Sequence, residues 1–313
     1  MINFIYTFNE IMIIENPETP LVEIKEPVLT KNKIRLFIKR EDLIDEHISG
    51  NKWFKLKYNL IEAHKLGYKK LLTFGGAYSN HIYSTAAAGK KYGFDTIGVI
   101  RGEEHLPLNS TLSFAQSCGM KFYYLDRTSY RNKYDEKILE NLKKQFGKFY
   151  LIPEGGSNHF AVKGCTEIIP RIKINFDFIC TACGTGGTLS GLVLGLNSKA
   201  KVLGFSVLKG GEFLNKNVEN LLSSTGNKNF SNWEIILDYH FGGYAKVSKD
   251  LNGFCNAFYE KHNIELEPIY IGKMLYGVYD LIQKKYFPKN STIIILHSGG
   301  LQGLKGLEQR GLI

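Results

Sequence analysis

Chemistry in this 313-residue chain gathers where glycine, small hydroxylic residues and single cations stand side by side. Ser49-Gly50-Asn51-Lys52-Trp53-Phe54-Lys55 sets Lys52 at an expected helix start, where the positive end of the helix dipole favours a neutral, nucleophilic amine over the ammonium. The residues alone leave open that Lys52 merely begins a surface helix. Gly75-Gly76-Ala77-Tyr78-Ser79-Asn80-His81 follows a β-rich run and opens a helix; so do Cys183-Gly184-Thr185-Gly186-Gly187-Thr188 and His297-Ser298-Gly299-Gly300. In each, glycine permits close backbone approach, and the following helix presents unpaired N–H groups to an anion. The second turn is the strongest phosphate candidate, because Thr185 and Thr188 add hydroxyls to the glycines around one small concavity. It is neither a Walker loop, since the Lys-Ser/Thr pair is missing, nor a dinucleotide fingerprint, whose third glycine would stand at Leu189. One such turn is often no more than a tight turn, but three in one chain point to a site.

Positioning these turns requires strands that hand over to helices. Strands are expected at Ile34–Lys39, Lys70–Phe74, Thr96–Arg101, Lys121–Leu125, Phe176–Thr181, Val202–Val207 and Thr292–Leu296. Between them lie helical stretches at Lys52–Leu66, Asn80–Tyr92, Thr111–Ser117, Asp135–Phe146, Asn158–Ile169, Leu189–Leu196, Lys249–His262 and Lys273–Lys285. The alternation implies an α/β chain with mainly parallel, doubly wound sheets built from right-handed βαβ units. Residues 58–148 would form a small inserted α/β domain, and 1–57 with 149–313 a large one. Leu208–Trp233, polar and rich in Asn, Ser and Gly, reads as surface loop around one short helix. Met1–Ile14 reads as an N-terminal strand rather than a secretory signal.

Composition narrows the class. The chain carries 40 Lys+Arg against 30 Asp+Glu, a net charge of +10. The lysines are scattered among acids, with no block of like charge and no nucleic-acid-binding motif, so the excess reads as solvated surface and no nucleic-acid partner is expected. No apolar run reaches the roughly 18 residues of a membrane span. Five thinly spread cysteines suggest a reducing, cytoplasmic setting without a disulfide framework. Cys180-Thr181-Ala182-Cys183 has redox spacing but ends a β-rich run, which favours strand packing. The eight histidines show no metal-ligand spacing, and no metal is expected.

Taken together and in order, these motifs resemble the pyridoxal-phosphate enzymes of the tryptophan-synthase-β fold group (fold type II), in the branch of 1-aminocyclopropane-1-carboxylate (ACC) deaminases and D-cysteine desulfhydrases. The resemblance runs from about Ile34 to Gly303. It implies two doubly wound domains, pyridoxal 5'-phosphate as cofactor, a small amino-acid substrate and a homodimer. Residue by residue, Lys52 resembles the lysine that anchors the cofactor and later acts as base, with Asn51 beside it. Asn80 would bond the cofactor's phenolic oxygen, and Ser79 with Asn80 and His81 would receive the substrate carboxylate. Gly184, Thr185, Gly186, Gly187 and Thr188 would hold the phosphate, with Lys55 one helical turn beyond Lys52. Tyr270, in Pro268-Ile269-Tyr270-Ile271, matches the family's active-site tyrosine, and Tyr244 more loosely matches a second. Either tyrosine, read alone, could be an ordinary half-buried aromatic, and His81 a helix-surface residue.

The departure from the family pattern lies at Ile271, where ACC deaminases carry a glutamate that partners the pyridine nitrogen. Ser298 offers a neutral hydroxyl instead, as in D-cysteine desulfhydrases, and Ser-Asn-His stands where ACC deaminases read Ser-Asn-Gln. A neutral partner weakens the electron sink and favours prompt loss of a β-leaving group. The expectation is therefore a lyase, or deaminase, acting by α,β-elimination, with D-cysteine giving pyruvate, sulfide and ammonia. Opening of ACC to 2-oxobutyrate and ammonia is the alternative, and a non-catalytic basic nucleic-acid-binding protein a remote one.

Overall fold

The computed structural model describes residues 12–226 and 230–313. Within them, runs of Ile, Leu, Val and Phe form ten strands that sort into two sheets. The larger has the order β1 (Leu21–Ile24), β2 (Arg35–Lys39), β10 (Thr292–Leu296), β7 (Phe178–Cys183), β8 (Lys201–Ser206) and β9 (Trp233–Ile236). Only the edge pair β1–β2 is antiparallel. The smaller sheet, β5 (Lys121–Leu125), β4 (Asp95–Arg101), β3 (Lys70–Gly75) and β6 (Tyr150–Ile152), is parallel throughout. Its strands are contributed by one continuous stretch of chain, interposed between β2 and β7 of the larger sheet. Its last strand begins just past the boundary read at 148.

Both faces of the larger sheet are covered, as the near-continuous apolar strands require. Alternate residues of one strand enter different cores: Leu36, Ile38, Ile293 and Ile295 pack beneath the helices Lys249–His262 and Ile271–Gln283. Phe37, Ile294 and Leu296 pack beneath the helices Asn51–Lys65, His159–Thr166 and Gly187–Leu196. This second core also takes in Leu71 and Ile152 of the smaller sheet and Ala87 and Ala88 of the helix Asn80–Tyr92, so the two sheets share a wall.

Several details depart from the sequence reading. The expected N-terminal strand falls largely outside the described residues, and its described part, 12–14, forms none, although Met12 and Ile14 are buried. The stretch 208–233 carries one helix, as expected, but that helix is anchored in the core. It is the helix Phe213–Ser223, whose Leu214, Val218 and Leu222, spaced four apart, reach the core while its polar residues face solvent. The short strands β1, β6 and β9 had no periodicity long enough to register. Cys180 and Cys183 lie three apart on β7 and therefore point to opposite faces, one into each core, as free, buried thiols. Their redox spacing is thus strand packing. No helix among the described residues is long and apolar enough to cross a membrane.

Candidate active site

The glycine-rich turns all leave the C-terminal ends of parallel strands, where open α/β sheets leave a crevice. The ends of β3 and β6 face those of β7 and β10 across a cleft of about 840 Å³. Every site residue named from the sequence lines it, from Asn51 at the start of the helix Asn51–Lys65 to Ser298 after β10.

Two turns interlock to place the lysine. Gly50 has φ 62°, and a Cβ there would lie 1.9 Å from the Ser298 carbonyl oxygen, so only glycine fits. The Asn51 N–H donates to that same oxygen at 3.3 Å. Lys52 Nζ donates to Asn51 Oδ1 at 3.1 Å, and Asn51 Nδ2 donates to Thr188 Oγ1 at 2.8 Å, which orients the amide between the lysine and the opposite turn. Burial first, then the Lys55 charge, pull the Lys52 ammonium down to about 7. Near neutral pH a large fraction of it is free amine.

The fit of a phosphate rests on donors that converge on one small concavity. The helix Gly187–Leu196 has no side-chain cap: Gly186 sits at its N-terminus with φ 85°. Its first N–H groups are thus open to an anion. Lys55, buried and lowered to about 8 chiefly by burial, reaches the same place, donating to Ser157 Oγ at 2.9 Å and more weakly to Thr185 Oγ1 at 3.5 Å. Ser157 Oγ and Thr185 Oγ1 are 2.6 Å apart. A Cβ on Gly187 would stand 2.8 Å from Ser157 Oγ and 3.1 Å from Lys55 Nζ. Two hydroxyls, a helix terminus and an ammonium converge where a side chain cannot go, and this donor set suits a phosphate dianion.

Ser79 caps the helix Asn80–Tyr92, its hydroxyl oxygen accepting from the His81 and Ile82 N–H groups at 3.2 and 3.3 Å. Both bonds use the oxygen, so the O–H remains to donate to a carboxylate. Asn80 lies against the Gly299-Gly300 turn, where a Cβ on Gly300 would be 2.5 Å from its Nδ2. His81 is no surface residue: it is 2% exposed. Thr73 donates its hydroxyl proton to the Ile152 carbonyl at 2.8 Å and therefore accepts from His81 Nε2 at 2.8 Å. This fixes the tautomer and leaves His81 Nδ1 a buried acceptor with no partner among the described residues. Burial, with Lys52 and Lys55 nearby, holds the imidazole neutral.

Tyr270 stands over the start of the phosphate turn, its Cε1 3.3 Å from where a Cβ on Gly184 would be. Tyr244 meets it edge to face, ring centroids 5.9 Å apart at 71°. Burial raises the Tyr270 phenol, and the Tyr244 phenol, 38% exposed at the cleft mouth but desolvated on its inner side, is raised as well, so each stays protonated. Beneath them the buried Glu267 carboxylate accepts N–H bonds from Ile269, Tyr270 and Ile271 at 2.7 to 2.9 Å, fixing the backbone that carries Tyr270. Ile271 itself is fully buried in the apolar core and does not line the cleft, which leaves the Ser298 hydroxyl as the polar group of that wall.

Sequence reasoning passed over Ser157. Glu154-Gly155-Gly156-Ser157-Asn158 repeats the strand–Gly–Gly–helix pattern after β6, and Asn158 caps the helix that follows. The pattern was there to be read, but β6 is only three residues long. Arg101, Arg127 and Glu154 at the cleft edge carried no local signal at all.

Comparison with known proteins agrees with this geometry. A family profile described as "Pyridoxal-phosphate dependent enzyme" matches residues 15–299. A Pyrococcus horikoshii protein carrying the provisional name 1-aminocyclopropane-1-carboxylate deaminase is 34% identical over 278 residues, 86% of this chain and 85% of that one. The mitochondrial bifunctional D-cysteine desulfhydrase/1-aminocyclopropane-1-carboxylate deaminase of Arabidopsis thaliana is 31% identical, covering 87% of this chain and 74% of its own. The crystal structure of an ACC deaminase homologue superposes with a TM-score of 0.83 at 32% identity, over 95% of this chain and 94% of the other.

Proposed function

The chain belongs to the pyridoxal-phosphate dependent enzyme family, with a fold-type-II architecture and pyridoxal 5'-phosphate as cofactor; from that premise we propose that it releases ammonia from ACC, opening the ring to 2-oxobutyrate. Coarsely, it is an elimination-type enzyme of small amino acids. The names of its relatives support ACC at least as well as D-cysteine. The observation that carries the catalytic reading is the buried, largely neutral Lys52 amine in the same cleft as an uncapped helix terminus and Lys55. D-cysteine elimination is the second reading, favoured by one feature: the wall of the cleft offers the neutral Ser298 hydroxyl, while Ile271 lies in the core.

When bound, the cofactor supplies the electron sink for the pair released at Cα. The residues do the rest. Lys52 Nζ anchors the cofactor, then takes or returns a proton as a free amine. Asn51 aims that amine. The Gly184–Thr188 turn, Lys55 and Ser157 would hold the phosphate, and Asn80 would bond the ring's phenolic oxygen. The Ser79 O–H, the Asn80 side chain and the first N–H of its helix receive the substrate carboxylate, beside His81. The protonated phenols of Tyr270 and Tyr244 cover the cleft and donate to the substrate. A homodimer is part of the proposal; a monomer mass in light scattering would overturn it.

Purified protein should be yellow, and borohydride should fix the cofactor on the peptide holding Lys52. A panel of ACC, D-cysteine, L-cysteine and D-serine, read as ammonia and 2-oxo acid, separates the readings. Pyruvate and sulfide from D-cysteine with no turnover of ACC would overturn the first in favour of the second. A colourless protein that takes up no cofactor would overturn both.

A further inference from the structure

We propose that Lys273 is a positioning residue that sets Tyr244 against Tyr270 by tethering the backbone turn before Tyr244 to the helix that begins at Tyr270. The inference rests on the reading that Tyr244 acts in the cleft. Lys273 is 1% exposed, a burial that lysine tolerates only with its ammonium hydrogen-bonded. Its Nζ donates to the His240 carbonyl at 2.8 Å and to the Gly243 carbonyl at 2.7 Å.

That turn needs holding. Phe241, Gly242, Gly243 and Ala245 have φ values of 51°, 88°, 119° and 55°, so two residues with side chains adopt a left-handed conformation that their own sterics oppose. The segment between β9 and the helix Lys249–His262 contains no regular structure. Its internal support consists of the Gly243 N–H to His240 O at 3.0 Å, the Lys246 N–H to Gly243 O at 3.2 Å, and the Gly242 N–H to His240 Nδ1 at 2.9 Å. Lys273 binds the same two carbonyls and thereby clamps both ends of the turn.

The other end of the strut is rigid. Lys273 lies three residues past Tyr270, in the first turn of the helix Ile271–Gln283, whose start Glu267 locks through three N–H bonds. Displacement of the turn before Tyr244 relative to Tyr270 therefore requires either a break at Lys273 Nζ or unwinding of that first turn. Burial pulls the Lys273 ammonium down to about 8, with the neighbouring Glu267 acting in the opposite direction.

The test is a double-mutant cycle with a second, activity-free readout. In the holoenzyme, assayed with ACC and with D-cysteine, Lys273→Met is expected to lower kcat about tenfold with KM within about twofold, and to add nothing in a Tyr244→Phe background. Hydrogen exchange of the apo-protein should rise at Gly243 and Lys246 while the strands of the larger sheet stay protected. A merely structural lysine would loosen exchange throughout and cost the same factor in both backgrounds; either result overturns the proposal. Should Lys273→Met fail to fold, Gly243→Ala strains the same turn at φ 119° while meeting only an ordinary 3.5 Å contact with Lys209, and should show the same non-additivity with Tyr244→Phe. A fully active Tyr244→Phe would remove the reading of Tyr244 and the proposal with it. A defective Tyr244→Phe with additive Lys273→Met overturns the proposal alone.

Discussion

Lys52 should capture an aldehyde at a pH where ordinary lysines are inert. With its ammonium lowered to about 7, roughly three quarters of Lys52 is free amine at about pH 7.5, against about one part in a thousand for an unperturbed lysine. The rate at which apo-protein traps pyridoxal phosphate, measured by borohydride quenching and the mass of the Lys52 peptide, should rise with pH through a midpoint at about 7 and level off above about 8. Lys55→Met tests the cause. Burial is the larger influence and the Lys55 charge the second, so removing that charge should raise the midpoint without restoring the ordinary lysine value. Two unit charges at the spacing of helical neighbours three residues apart, about 5–6 Å, and an effective dielectric of about 20 interact by about 3 kcal/mol, which places the new midpoint at about 9. The sign follows because a neighbouring cation opposes the ammonium, and its loss lets Lys52 hold the proton to higher pH. A profile that climbs past about pH 9.5 in the parent protein, or a midpoint that falls in Lys55→Met, would refute the reasoning.

Further expectations concern the cradle and the core. Gly187→Ala thrusts a methyl to 2.8 Å from Ser157 Oγ and should weaken cofactor retention about tenfold or more, measured by equilibrium dialysis. Gly253→Ala, where a Cβ meets nothing within 4 Å, should leave retention unchanged and stabilise its helix by about 0.5–1 kcal/mol. Glu41 is fully buried between Arg171 Nε at 3.1 Å and Lys39 Nζ at 3.6 Å, so Glu41→Gln should cost about 3–5 kcal/mol in denaturant unfolding by stranding two buried cations. Thr73→Val removes the acceptor that fixes the His81 tautomer; a loss of about 1–3 kcal/mol is expected, with the imidazole nitrogen shifts in NMR reporting the freed tautomer.

The parts of the site that were legible in the sequence are those whose chemistry is local. A glycine turn that binds an anion needs its glycines, hydroxyls and helix start within a few residues, and so Gly184–Thr188, Ser79–His81 and Ser49–Lys52 could be read along the chain. The strand and helix alternation was legible for the same reason, since periodicity over one element reports which faces are buried. What needed the tertiary structure was convergence. Ser157 joins Thr185 and Lys55 only because β6 and β7 end at the same cleft. His81, read as a substrate-binding residue with a helix-surface position as the competing reading, is buried, with one nitrogen bonded to Thr73 on β3, the strand that leads into its helix. The low affinity of Lys52 for its proton comes mostly from burial, a property of the packed molecule that no local spacing encodes. Residue order alone marked the glycine turns that could hold a phosphate and a candidate amine beside them, but not Ser157 or the burial of Lys52. The fold decided which of them meet, and how dry the meeting place is, because distance and desolvation arise only when distant segments pack together.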